Sequence, residues 1–304
     1  MIEVLALYAI YALEFTFGKA ALTFVQPTFL VSTRMLLGGS ILLTHVYFFN
    51  RSEFRIGRQH WSLLLQAILF AFYVGFVFDY WGLKYMTSSK NALISTLMPF
   101  VTAFIAYFLD LEKFTRKKIV GLMIGFIGVI PILLHSKMNE GQYVTTDWFF
   151  LPELASIAAV AGVAYGWIIL GKLNRDHGYP TTLINGLGML MGGLLALCTS
   201  LLVDTWNPVP FSAFWPFMGY TIMLVIVSNL IIYNWYVALL RKYSATLIAF
   251  VSFTIPIYVA FYSWIWLGEV VSTTFLVSVF IVCVGLYVFY QDELHKTKQF
   301  KLLR

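Results

Sequence analysis

The segment from Leu83 to Gly128 has a counterpart later in the same chain, at a constant offset of 157 positions and without a gap. In that register Leu83 meets Leu240, Lys84 meets Arg241 and Thr87 meets Ser244. Pro99 falls on Pro256, Ala103 on Ala260, Phe104 on Phe261, Glu112 on Glu269 and Gly128 on Gly285. Segments sharing only composition would not align a proline, a glutamate and a glycine at one offset. An internal period of this kind decides the fold before any single motif does. The chain reads as two related halves, 1–140 and 141–304, integrated into one transmembrane domain.

Composition decides the solvent. Hydrophobic residues make up 60% of the chain and charged residues 11%, against roughly 25% charged in a soluble domain. The apolar runs exceed the ~18 residues that mark a membrane span. Backbone polar groups in lipid must be satisfied internally, so spans are helices or a closed barrel. Barrel strands alternate polar and apolar positions. These runs are apolar on all sides, which predicts helices near 2–24, 27–49, 61–82, 88–109, 116–135, 149–170, 181–204, 214–239, 244–267 and 273–290. The fold class is an all-α integral membrane protein of ten transmembrane helices. The start, MIEVLALYAIYAL, lacks a basic leader region and reads as a retained first helix. Cys198 and Cys283 lie in apolar runs as small buried hydrophobes.

Charge orients the helices. The net charge of +6 resides largely in short loops, which excludes a nucleic-acid footprint and reads as a topology signal. Fifteen of the 20 Lys and Arg residues fall in one set of alternate loops and the tail, among them Arg51, Lys113, Lys172 and Arg241. Lys84, Lys90 and Lys137 fall on the other side. The bias places both termini in the cytoplasm. Five helices per half is an odd number, so the halves must be inverted. Inverted repeats are a transporter architecture, with the substrate site at their interface near the midplane around a central cavity.

The repeated marks, GLKYMTSSKNALISTLMPF to LEKFTRKKIVGLMIGFIG and ALLRKYSATLIAFVSFTIPIYVAFYSWIWLGE to Gly285, resemble the EamA family of the drug/metabolite transporter superfamily. Arg34 in PTFLVSTRMLL and Lys19 at the end of the first helix are similar to family positions. The resemblance spans essentially the whole chain. It implies a ten-helix fold, a central cavity and transport of small organic metabolites. The chain departs from the pattern at Leu13-Glu14, where the family often has Trp-Gly, at Val163 and at Leu111.

Charged and polar residues inside spans nominate the site. A charge at bilayer centre costs about 2.5–3.5 kcal/mol on insertion scales, so it faces a cavity or a partner. Glu14 lies halfway along the first span with Tyr11 on the same face. It either contacts substrate or a proton, or pairs with Lys19 or Arg34. Asp79 is an interfacial cap or a gate. Arg34 and Lys19 are gating, coupling or bracing residues. Asn91, Ser95, Met98 and Thr102 form a polar stripe on the fourth helix, serving cavity lining or helix packing. Asn229, Tyr233 and Tyr236 form another on the eighth. Tyr165 and Tyr262 are further substrate-binding candidates, able to stack on a planar ring. Pro99 and Pro256 remove a backbone donor and are assigned structural roles. Glu112 and Glu269 each follow a span and are assigned to capping free backbone N–H groups.

No HExxH, P-loop, GxSxG or zinc spacing occurs, so no enzyme activity, cofactor or metal is expected. An acidic site with aromatic walls favours a substrate with a cationic group and a planar ring. An S-adenosylmethionine-type metabolite, which some members of the resembled superfamily carry, and an aromatic amino acid both fit. The expected partners are that small molecule, the bilayer of the cytoplasmic (inner) membrane, and a proton or counter-substrate. A membrane-embedded enzyme and a non-transporting receptor or scaffold are the alternative classes.

Overall fold

The computed structural model describes residues 2–49, 55–109, 115–139, 150–232, 235–236, 239 and 252–302. Helices dominate it in this order: α1 Ile2–Ala21, α2 Pro27–Phe49, α3 Arg58–Lys84, α4 Ser88–Phe108 and α5 Arg116–Asn139. They are followed by α6 Leu151–Arg175, α7 Thr181–Val203, α8 Phe214–Ile232, α9 Ser252–Leu267 and α10 Thr273–Leu302. Among the described residues, seven helices are long and apolar enough to cross a membrane: α1, α2, α3, α4, α6, α7 and α8. The apolar part of α10, Thr273–Phe289, is shorter, as is α9.

Helix ends are set by local chemistry. Pro27 opens α2, where a missing N–H is harmless. The Asp204 carboxylate, just past α7, accepts from the Phe29 amide at 2.8 Å and so caps α2 from another helix. Thr87 caps α4 by accepting from the Lys90 amide. Gly268, at φ 67°, ends α9 in the left-handed conformation that glycine adopts without strain.

The most extensive helix contacts join α5 to α10 and α2 to α7. Both seams are made by glycine. A Cβ on Gly285 would lie 2.5 Å from the Gly125 nitrogen, and one on Gly39 would lie 2.6 Å from the Leu190 nitrogen. Any larger side chain would force these backbones apart.

Two irregularities recur at the sequence offset. α3 is π-helical over Ile68–Gly75 and α8 over Val225–Ile232, so Ile68 and Val225 stand 157 apart. α4 is interrupted after Ser95 and resumes at Met98; α9 begins with a 3₁₀ turn and becomes α-helical at Ile255, again 157 later. Pro99 and Pro256 each occupy the second position of the resumed helix. There the absent donor breaks no helical hydrogen bond, and the interruption lies just before the proline. Glu112 and Tyr233 fall outside the described residues.

Candidate functional site

A cavity of about 490 Å³ lies where α1, α3, α4, α6 and α9 meet, with Lys118 of α5 and Phe289 of α10 also in its wall. The α1 face contributes Tyr8, Tyr11, Glu14 and Phe15; α3 contributes Phe76, Asp79 and Tyr80. The α4 face contributes Ser95, Thr96, Met98, Pro99 and Thr102, so most of the polar stripe read from the sequence runs along the cavity. Trp167, Tyr236 and Ser252 complete the more polar and aromatic part of the wall. On α3 and on α8 the cavity-lining residues begin where the π segment ends, at Gly75 and at Ile232. A π turn re-aims the residues that follow it, and such turns occur often at functional sites.

Glu14 does not stand alone. The Arg34 Nη2 lies 2.8 Å from Glu14 Oε1, and Nη1 of the same guanidinium donates to the Tyr80 hydroxyl. Arg34 is fully buried, with its guanidinium carbon 5.3 Å from the Phe76 ring centre and 5.2 Å from that of Tyr80. Of the two partners proposed for Glu14 by the sequence, the structure pairs it with Arg34. The other Glu14 oxygen, Oε2, is buried and has no hydrogen-bond partner among the described residues. Asp79 is half-buried against the same cavity, and its Oδ1 accepts from Asn91 Nδ2 at 3.0 Å. Asn91 thus sits behind the wall and orients Asp79. Glu14 and Arg34 are the charged groups near enough to act on Asp79.

Lys19 lies at one end of this arrangement. It is buried, and its Nζ donates to the Leu83 and Lys84 carbonyls, both at 2.9 Å, closing the C-terminal end of α3. That arrangement suits the negative end of a helix dipole. Beside it, the Glu269 carboxylate accepts from the Ser88 amide at 3.0 and 3.1 Å and from the Ser88 hydroxyl at 3.3 Å. Glu269 therefore caps the start of α4, in the other half of the chain. Burial pushes its carboxyl above the ordinary value of 4.5, while the Ser88 amide, the Lys19 ammonium and the Ser89 amide pull it back.

Three other sequence candidates lie away from the cavity. The Tyr165 hydroxyl donates to Gln66 Oε1 at 2.5 Å, and its ring packs edge-on against Phe70. Trp167, two residues on, faces the cavity instead. Asn229 fills the space above Gly38, with Nδ2 3.1 Å from Met189 Sδ. Tyr262 packs against the apolar cluster that contains Val259 and Leu7. Conversely, Lys118 is a cavity-lining residue among the fifteen Lys and Arg that the sequence assigns to loops and the tail. It is buried, whereas Arg116 and Lys117 beside it are exposed. Its place at the apolar end of the Arg116–Lys118 run, next to Ile119 and Val120, was the available signal.

The sequence pattern of the EamA-like transporter family matches residues 1–134 and 151–291. A protein of Chlamydia muridarum named S-adenosylmethionine/S-adenosylhomocysteine transporter is 33% identical over 288 residues, covering 93% of this chain and 89% of that one. A protein of the same name from Chlamydia trachomatis serovar L2 is 32% identical, covering 93% and 86%. A protein of solved crystal structure superimposes with a TM-score of 0.63 at 17% identity, over 94% of this chain and 93% of that one, which speaks to the fold alone.

Proposed function

The chain belongs to the EamA-like transporter family, and from that premise we propose that it carries an S-adenosylmethionine-type metabolite through the central cavity. Multi-pass membrane insertion and small-metabolite transport come with the family and with the run of apolar helices. The observation that carries the substrate reading is the pairing of two carboxylates, Glu14 and Asp79, with aromatic walls in one cavity. A sulfonium or ammonium group suits the carboxylates, and an adenine ring suits Tyr11, Trp167 and Tyr236. The named chlamydial relatives support the same chemistry.

The reading extends to architecture. The ten helices form two inverted five-helix repeats, 1–140 and 141–304, with both termini in the cytoplasm and the protein in the cytoplasmic membrane. The recurrence of the π segment and of the helix interruption at one offset supports it. Within the cavity, Glu14, Asp79, Tyr11 and Ser95 contact substrate, while Arg34 and Asn91 position the two acids. The Lys19 and Glu269 contacts hold one end of the cavity closed. A proton or a counter-substrate completes the cycle, and the protein acts as a carrier, with no enzymatic step.

Purified protein in proteoliposomes tests the reading. Uptake of labelled S-adenosylmethionine, accelerated by S-adenosylhomocysteine loaded inside, is expected. Uptake of aromatic amino acids in its place would move the substrate class. Binding without uptake of either would favour a receptor.

A further inference from the structure

We infer that Asp79, rather than Glu14, is the group that reads positive charge on the ligand and so sets a preference for a sulfonium over the matching thioether. The inference rests on the transport reading above. It begins from a charge count around one point in the wall. Glu14, Arg34 and Asp79 lie within electrostatic reach of one another. Arginine stays protonated in proteins, so the guanidinium cancels the Glu14 carboxylate it touches. Asp79 has a neutral donor, Asn91, and no ion-pair partner among the described residues. The three groups together lack one positive charge.

Access separates the two acids. The Glu14 side chain is 9% exposed and Arg34 is fully enclosed, whereas Asp79 keeps an open face to the cavity. Glu14 still offers something to a ligand. Glu14 belongs to the cavity lining, and its shielded Oε2 has no hydrogen-bond partner among the described residues; a buried acceptor left unpaired is costly. An N–H donor on the ligand would satisfy it. A sulfonium has no hydrogen to donate. It is held by a full charge and by aromatic faces, and a cavity lined by Asp79 together with Tyr11, Phe76 and Trp167 supplies both. The two acids therefore divide the work: Glu14 accepts a hydrogen bond from the ligand, and Asp79 supplies uncompensated charge.

S-adenosylmethionine and S-adenosylhomocysteine share the adenine ring, the ammonium and the carboxylate. They differ by a methyl group and one positive charge at sulfur. A site short of one positive charge distinguishes them at that point. Calorimetric titration of both compounds into detergent-purified wild type, Asp79→Asn and Asp79→Glu tests this. Wild type should bind the sulfonium more tightly. Asp79→Asn should weaken sulfonium binding by about tenfold or more, the scale of a lost charge-assisted contact, and leave the thioether near its wild-type affinity. Asp79→Glu should restore part of the preference. Equal wild-type affinities for the two compounds would overturn the assignment without any variant. So would equal losses for both compounds in Asp79→Asn, since these mean that Asp79 serves a group they share. Wild type that binds neither compound would defeat the substrate reading itself.

Discussion

Two buried ion pairs among the described residues differ in what surrounds them. Arg34 and Glu14 meet at 2.8 Å between α1 and α2; Lys90 and Glu153 meet at 2.5 Å between α4 and α6. All four side chains are at most 10% exposed. The Lys90 pair adjoins a tight crossing of α3 and α6: a Cβ on Gly82 would collide with Ser156 Oγ and the Pro152 carbonyl. Neither Lys90 nor Glu153 lines the cavity. Glu14 lines the cavity, its second oxygen is unbonded among the described residues, and a second acid, Asp79, lines the same cavity. One pair is therefore set in a helix seam, and the other borders the cavity. Buried charge within a membrane protein does not by itself mark a site; the space around it does.

Breaking the enclosed pair should have the largest effect. Lys90→Met leaves Glu153 without its cation in a packed seam, and is expected to cost about 3–5 kcal/mol, read as a collapse of the melting temperature in detergent. The double variant Lys90→Met/Glu153→Met should recover most of that loss, because an apolar pair of similar volume replaces a buried ion pair at little cost. Failure of the double variant to recover would mean that Lys90 has a role beyond bracing. Arg34→Met should be milder, about 1–3 kcal/mol, since Glu14 borders the cavity and a small shift of its side chain would expose the freed carboxylate. It should also raise affinity for a cationic ligand, by adding a second uncompensated carboxylate; a fall in affinity would place Arg34 in contact with the ligand.

The smallest effect concerns a helix cap, the Glu269 carboxylate on the Ser88 amide. Glu269→Gln should cost about 1 kcal/mol, as for loss of a cap. Because the folded Glu269 carboxyl titrates above 4.5, the folded state holds its proton more tightly than the unfolded chain. The associated stability is present below pH 4.5 and is lost as pH rises through the raised value. Melting temperatures across that window should be flatter in Glu269→Gln than in wild type. An unchanged slope would assign the pH dependence to another group.

The sequence carried the class, the repeat and the two candidate cations for Glu14, because composition, period and isolated charges are all local quantities. Choosing Arg34 over Lys19 required knowing how α1 and α2 pack. Lys19 is five residues from Glu14 but is drawn to the carbonyls of Leu83 and Lys84. Tyr165 was the candidate on α6, yet Trp167 is the residue that lines the cavity. Two positions apart on a helix is about 200° of rotation, and only the neighbouring α3 decides which faces inward. Asn229 drew attention as a polar residue in a span. Its repeat counterpart Phe72 shows the packing role of that position: Phe72 fills the space above Gly188, as Asn229 fills that above Gly38. The partner of Glu269 was illegible for another reason. No pattern along the chain links it to an amide in the opposite half.

That long link has a consequence for biosynthesis. Ser88 and Glu269 are separated by 181 residues, and Lys90 and Glu153 by 63. At about 5–20 residues per second, the ribosome reaches Glu153 roughly 3–13 s after Lys90, and Glu269 roughly 9–36 s after Ser88. During that interval α4 has left the ribosome carrying a lysine without its carboxylate and a helix start without its cap. The interfacial water at the membrane surface must serve both until the second half arrives. A ribosome paused between the two codons therefore holds an assembly intermediate whose unmet groups are named in advance: the Lys90 ammonium and the Ser88 amide.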